Sequence, residues 1–377
     1  MSALDLATRR APAAPLRAQT VDHAWLVARR SAWQALAAEA LTPNPDFTPG
    51  VIEAHLATGA GPGAGRFVAV ARGDALVALL PARLGRTWLG LSRRAAASWL
   101  SPYMVHGTPL IAPGDTEAAA AALLDGMAEH GPWRLPFVGP ESEAGRRLRA
   151  VAEAQGWTAA LLSAAERPVL ARRAGYEALV TEAWSRNRRL GLARARRRLS
   201  ALGAVTVETA TGGASLAAAV EAFLTLELGG WKGRRGTAMA ARPASAALAR
   251  RLFTLDDPLV APRADLLLLD GRPVAASLAL VSRGTAHLLK TAYDEGLART
   301  APGLLLEDEI IRSLHATGFA ERLDSASLPG TVFDELYPDR EPVAELILAP
   351  PGVSLGSALR VEAAKRRATT LLKRARR

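Results

Sequence analysis

Cysteine is absent from the 377-residue chain. Disulfides, thiolate nucleophiles and cysteine-held metals are excluded, and the absence favours a reducing compartment. Aromatic residues make up 5% of the chain and do not interleave with its arginines, which argues against a surface that stacks nucleic-acid bases. No uncharged apolar run approaches the roughly 18 to 20 residues that span a bilayer. The segment up to Thr20 is rich in Ala, Pro and Arg, contains Asp5 and lacks an apolar stretch. It reads as a flexible tail rather than a signal peptide, and the expected compartment is the cytoplasm. The six histidines (His23, His55, His106, His130, His287, His315) show no paired spacing, so no metal is expected. There is no Gly-x-Ser-x-Gly nucleophile elbow.

What is present is apolar material, 49% of the chain, enough for two domains of ordinary size. The net charge of +11 is concentrated. Seven arginines (Arg186, Arg188, Arg189, Arg194, Arg196, Arg197, Arg198) share one stretch, and seven cations (Lys365, Arg366, Arg367, Lys373, Arg374, Arg376, Arg377) end the chain. Removing those fourteen from +11 leaves −3, so the body is not basic. A local positive patch implies an anionic partner at that place.

Apolar spacing predicts a helix from Val21 to Leu41 and a short one from Pro49 to Ala57. A glycine-rich loop, Gly59 to Gly65, leads to strands at Phe67–Ala71, Leu76–Leu84 and Arg86–Leu91. A helix (Ala118–His130), a strand (Trp133–Val138) and a helix (Glu141–Gln155) follow. The second half repeats the order: helices at Ser215–Leu228 and Ala244–Phe253, a strand meander from Asp265 to Tyr293, a helix from about Gly303, and a strand from Leu323. Matched elements lie about 190 to 200 positions apart. The expected fold class is α+β, two tandem copies of one unit. The divisions are a tail at 1–20, a first domain at 21–165, a second at 166–352 and a basic tail at 353–377. Ser163 to Gly175 reads as a polar linker. Residues 176–202 read as one long basic helix, either a solvated face that also packs or a clamp for an anionic group.

The meander carries the sharpest local signals. Asp270-Gly271 is a hairpin-turn pair. Pro302 suits a first helical turn, and Gly318 a helix end. A strand feeding a helix start with a small residue can hold a phosphate, because free N–H groups and the helix dipole point at the anion.

At Glu227-Leu-Gly-Gly-Trp-Lys-Gly-Arg-Arg-Gly-Thr-Ala238 the chain resembles the GNAT-superfamily acyltransferases of the CelD (cellulose biosynthesis) or BioF-like group, relatives of the FemAB aminoacyltransferases. Trp99-Leu-Ser-Pro-Tyr103, Gly107-Thr-Pro-Leu110, Ala292-Tyr-Asp294 and Ala301-Pro-Gly303 carry the same likeness, which extends over about 21–350. It implies tandem GNAT-like domains, each a mostly antiparallel sheet flanked by helices. It also implies acyl transfer from acetyl-CoA or another acyl-CoA to an amine or hydroxyl of a small molecule, glycan or cell-envelope precursor. The strand from Thr285 to Tyr293, with Lys290 and Ala292, would bind the pantetheine arm. The pyrophosphate would meet the chain around Arg299, Thr300, Ala301, Gly303, Leu304 and Leu305. The loop departs from the family's Gln/Arg-x-x-Gly-x-Gly/Ala in offering only Arg299 and Gly303, which leaves a charged-tRNA donor open.

The chemistry needs orientation, proton removal and an oxyanion donor. The oxyanion donor is expected on the backbone of the third meander strand. Tyr337 is the candidate proton donor to the leaving thiolate, or a tyrosine at a core edge. Asp324 is a base or substrate contact, or a buried aspartate bonded to backbone. Glu227 and Asp294 are further base candidates. Gly229 to Thr237 lacks the order of a P-loop and follows a helix, so ATP binding is not expected. Trp231, Lys232, Arg234 and Thr237 there, with Tyr103, Tyr293 and Asp294, are candidates to meet the acceptor. His106, beside Tyr103, sits at the cleft or on the surface. The rival reading is a binding module whose arginine helix and tail grip nucleic acid or anionic lipid; the tail lies on a membrane surface or is a disordered basic end.

Overall fold

The computed structural model describes residues 14–60, 65–89 and 93–375. Most of the expected N-terminal tail, the centre of the glycine-rich loop and the end of the Arg86–Leu91 strand lie outside the described residues.

Thirteen strands form one sheet. The first half supplies β1 (Leu16–Asp22), β2 (Arg66–Arg72), β3 (Ala75–Leu89), β4 (Arg93–Ser98), β5 (Leu110–Ile111), β6 (Trp133–Val138) and β7 (Thr158–Ala171). The second supplies β8 (Val205–Ala210), β9 (Ala261–Leu269), β10 (Arg272–Ser282), β11 (Thr285–Tyr293), β12 (Arg322–Asp324) and β13 (Asp339–Ala349). The spatial order is β1-β2-β3-β4-β6-β13-β7-β12-β11-β10-β9-β8, with β5 beside β3. β4 runs parallel to β6, and β11 to β12; the other pairings are antiparallel. The repeat is therefore real at the level of topology, with one twist. The last strand of each half sits on the other half: β13 pairs β6, and β7 pairs β12.

The meander forms as its turns dictate. Asp270 and Gly271 have φ of 50° and 76°, the positive values a tight hairpin needs. Gly318 ends the Pro302–Thr317 helix with φ 65°.

Several boundaries differ from expectation. Leu16 to Thr20 is not tail but strand, zipped onto β2 from Leu16↔Arg72 to Asp22↔Arg66. The first helix is two, His23–Val27 and Arg30–Glu39, and Asp22 caps the start of the first by accepting from the Trp25 amide. β3 runs unbroken through the position where a third strand was expected to begin. Ser163 to Ala171 is not a linker but the end of β7, whose residues Val169 and Leu170 are buried at the middle of the sheet. The basic helix is also two, Tyr176–Ala183 and Arg186–Ser200. Between them Trp184 is buried in extended conformation, its Nε1 donating to the Leu336 carbonyl 3.0 Å away, and Ser185 caps the second helix by accepting from the Arg188 amide.

The largest core cluster spans both halves on one sheet face, under the Thr116–Ala128 and Gly213–Gly229 helices among others. A second joins the Pro302–Thr317 helix to both arginine-region helices. A third docks the C-terminal helix, Gly356–Ala375, through Leu355 and Ala358 onto Leu89, Ala95 and Ile347. Arg366 pairs with Glu345 and Glu362, which ties the C-terminal helix to the sheet at that point. Among the described residues, no helix is long and apolar enough to cross a membrane.

Candidate active site

β11 organises the site. It pairs with β12 only from Thr285 to His287, opposite Arg322 to Asp324, and then leaves it. Just beyond, its ladder with β10 breaks: Leu288 faces Ala279 and Lys290 faces Leu278, so Leu289 is an unpaired bulge residue. The bulge also reverses which side chains face which layer. His287, Lys290 and Ala292 face the Gly213–Gly229 helix side, and Thr291 and Tyr293 face the Pro302–Thr317 helix.

On that second face lies a cleft enclosing about 810 Å³, lined among others by Tyr293, Ala301, Gly303, Leu304, Glu307 and Phe333. Ala301 is left-handed (φ 49°, ψ 52°), a conformation that costs an alanine roughly 1 kcal/mol, and its carbonyl accepts from the amides of both Leu304 and Leu305 at 3.1 Å. The Ala301 amide donates to Ala298. Of the six residues expected to meet the pyrophosphate, Ala301, Leu304 and Leu305 thus have their amides engaged locally. Gly303 stands at the second position of the Pro302–Thr317 helix, in the first turn, whose amides lack the usual intrahelical acceptors. A Cβ at Gly303 would stand 3.2 Å from Tyr293 Cδ1. Thr300 is buried, its hydroxyl donating to Leu297. The Arg299 carbonyl accepts from Arg198 on the arginine helix, 3.4 Å away.

Tyr337 lies beneath this cleft with no solvent exposure, and its hydroxyl donates to Glu307. Burial, and then the Glu307 charge, push the Tyr337 phenol well above its usual value. Burial raises Glu307 to about 7, against the opposing hydrogen bond from Tyr337.

On the first face, a smaller hollow is lined by Glu227, Trp231, Lys232, Ala292, Tyr293 and Glu295. Glu227 is buried and ties the Trp231–Arg234 turn down, accepting from Lys232 Nζ at 2.8 Å and the Met239 amide at 2.7 Å. Gly233 packs so closely that a Cβ would stand 1.7 Å from the Leu228 carbonyl oxygen. Trp231 is half exposed at 47%, which rules out a loop pinned by a buried tryptophan. Arg234 pairs with Glu295 at 2.6 Å, and Thr237 donates to the Lys232 carbonyl. Asp294 accepts from the Gly296 amide and from Arg272, which makes it a turn cap. Lys290 lies 4.5 Å above the Tyr103 ring, whose hydroxyl donates to Ser245. Burial first, then the Lys232 charge, lower Lys290 to about 8.

The third group stands between the halves, where β11 and β12 part. Asp324 Oδ2 is met by His106 Nε2 at 3.1 Å, Arg167 Nη1 at 3.3 Å and His287 Nδ1 at 3.4 Å. Its Oδ1 accepts from the Ala326 amide. On its other side His106 Nδ1 contacts Asp46 at 3.0 Å. Burial opposes ionisation of Asp324, but the Arg167 charge and the His106 hydrogen bond hold its carboxyl well below the usual range. Burial likewise disfavours the charged form of His106, and the two aspartates outweigh it, raising the ring to about 9. Burial, then the His106 charge, lower His287. Gly107 makes this approach possible: a Cβ there would lie 1.8 Å from the Pro136 carbonyl oxygen. His106, His287 and Asp324 are also the one group among the described residues that can hold a metal, although no spacing in the sequence relates them.

The sequence-named residues thus fall in three places. Tyr293, Ala301, Gly303 and Leu304 share the larger cleft, and Glu227, Trp231, Lys232 and Ala292 share the smaller hollow. Asp324 stands apart with partners not singled out for this role: His287, Arg167 and Asp46.

The architecture is a GNAT-type fold in two joined copies, a mixed sheet flanked by helices. Residues 186–326, less than half of the chain, match the acetyltransferase (GNAT) domain family, which makes the chain an enzyme of the acyltransferase class. No curated protein matches it. Among solved structures, it is similar to the C-terminal domain of a proposed lysylphosphatidylglycerol synthetase from Agrobacterium fabrum at 13% identity, TM-score 0.52, covering 90% of this chain and 96% of that one. FemX is similar at 10% identity and TM-score 0.55, over 85% and 95% of the two chains. A conserved protein of unknown function from Bacteroides thetaiotaomicron is similar at 11% identity and TM-score 0.52, over 86% and 97%. At such identities these likenesses show the fold alone.

Proposed function

We propose that the second half moves an acyl group from an acyl-CoA to an amine or hydroxyl, with the donor lying along β11. The observation that carries this is the parting of β11 from β12 beside the 810 Å³ cleft, walled by the helix start at Pro302 and Gly303. In this reading the pyrophosphate meets Gly303, with Arg299 and Arg198 near it. The thioester carbonyl reaches the bulge at Leu289, whose backbone is free of the β10 ladder. The acceptor enters on the opposite face, between Tyr103, the Trp231–Thr237 loop and Asp324. Lys290 is the base: burial brings it down to about 8, and Lys232, Glu227 and Tyr103 surround it. Asp324, held as an anion, positions the acceptor. Tyr337 sits too deep to touch a thiolate and supports the cleft through Glu307. The motifs shared with the CelD-like group favour a glycan or cell-envelope precursor as acceptor.

Thermal unfolding with CoA and acetyl-CoA, beside a Gly303→Glu variant, tests the donor site. Glutamate in a first helical turn favours the helix and repels phosphate, and exposed Tyr293 can yield to its Cβ. Ligand at about 100 times its Kd stabilises by about 2.7 kcal/mol. The parent is expected to shift and the variant not to. A well-folded parent that shifts with neither ligand removes CoA as donor.

A further inference from the structure

We propose that His106, His287 and Asp324 form a binding site for one divalent transition metal of the zinc class, built across the junction of the two halves. The three ligand atoms lie within 4.8 Å of one another. Two of the edges, 3.1 Å from His106 Nε2 to Asp324 Oδ2 and 3.4 Å from His287 Nδ1 to the same oxygen, match the edge of about 3.3 Å that a tetrahedron has when its bonds are about 2.0 Å.

His287 is the independent sign of a missing ligand. It is 5% exposed, its Nδ1 stands 3.4 Å from Asp324 Oδ2 without the geometry of a hydrogen bond, and its Nε2 has no hydrogen-bond partner among the described residues. A buried imidazole with two unmet nitrogens is costly, and coordination through Nδ1 removes one of those costs. The outer contacts are those a metal-bound histidine needs. Asp46 accepts from His106 Nδ1, which leaves Nε2, the nitrogen that faces Asp324, to ligate once the ion displaces its proton, and Asp46 is itself fixed by the amides of Val105 and His106 at 2.8 and 2.9 Å. The Ala326 amide holds Asp324 from behind at 2.8 Å.

Ligand chemistry selects the ion. Two imidazoles and one carboxylate, without a thiol, suit zinc, cobalt or ferrous iron and not magnesium or calcium. Arg167 beside Asp324 Oδ2 offsets one of the two aspartate charges. With neutral imidazoles the group carries one net negative charge, so a dication leaves it one positive. The fourth position therefore favours an anion: hydroxide, or an ionised oxygen of the acceptor. A cavity of about 580 Å³, lined by Thr42, Thr108 and Ser142 as well as all three ligands, gives the entry path. Because His287 and Asp324 are the last paired residues of β11 and β12, the metal stands where the strands part. Its role there, a Lewis acid holding the acceptor oxygen, rests on the acyl-transfer reading; its binding does not.

The test is Co²⁺ titration of chelator-treated protein, followed by visible absorption. The expected result is one equivalent bound with the intense bands of a four-coordinate nitrogen–oxygen site. His287→Gln and His106→Gln are expected to lose those bands while keeping the far-ultraviolet circular dichroism of the parent. Asp46→Asn is expected to bind about 10- to 100-fold more weakly. No saturable binding at millimolar metal overturns the proposal, as does binding that both histidine variants retain. The CoA-induced melting shift, read on the same metal-free protein, reports the donor site separately, so either reading can fail alone.

Discussion

Glu307 gives the stability of this protein a pH dependence opposite to that of most carboxylates. It is 2% exposed, on the Pro302–Thr317 helix, and accepts a hydrogen bond from the Tyr337 hydroxyl. Burial lifts it from 4.5 to about 7, and the charges of Asp265 and Asp308 add to the effect. Below 4.5 the carboxyl is neutral whether the chain is folded or not. Between 4.5 and 7 the unfolded chain ionises it while the folded chain keeps the proton, so the native state binds more protons and stability falls as pH rises. Above 7 the loss is complete. At 1.36 kcal/mol per unit the full effect is roughly 3 kcal/mol. Glu307→Gln keeps the shape and a partner for the Tyr337 hydroxyl but has nothing to ionise. Urea unfolding followed by tryptophan fluorescence, for parent and variant across this range, isolates the group because titrations that do not feel its charge cancel in the difference. The variant is expected to gain on the parent by roughly 3 kcal/mol between 4.5 and 7, then hold that lead. A difference that stays flat with pH refutes the reasoning.

Two further outcomes follow from the groups facing the acceptor side. Arg167→Met removes the guanidinium from Asp324 and strands a buried carboxylate, which is expected to cost about 3 to 5 kcal/mol in chemical denaturation; the loss is expected to shrink as pH falls and Asp324 takes a proton. Lys290→Gln is expected to lower thiol release from acetyl-CoA, in the presence of amine and sugar acceptors, by about 10²- to 10⁴-fold. The parent's rate should rise with pH through about 8, as Lys290 loses its proton, and the variant should lack that limb.

Local chemistry made the meander readable. Asp270-Gly271, Pro302 and Gly318 each demand one backbone geometry, and each adopts it. Features set by distant partners were not readable. β7 looks like a linker from Ser163 because Ser163 to Glu166 are small or polar and none is buried, and only its pairing to β13 and β12 makes it a strand. Trp184 breaks the arginine helix because Leu336, 152 residues away, accepts its indole proton. The same holds at the site. Gly303 and Tyr293 stand close in sequence and share a cleft. The Asp324 group draws on His106 from 218 residues away and Arg167 from 157, separations that no motif spacing records. Gly107 was the available hint, a glycine beside a histidine in a loop.

The exchange of β7 and β13 has a consequence for how this protein is made. During synthesis the first half leaves the ribosome with its sheet open at β6, and it stays open until Ala349 has emerged. Asp46 and His106 must therefore wait, partly assembled, for a partner aspartate encoded more than two hundred codons later. Each half supplies the other with a strand at the middle of the sheet, and the joining of the two there is the same event that completes the site.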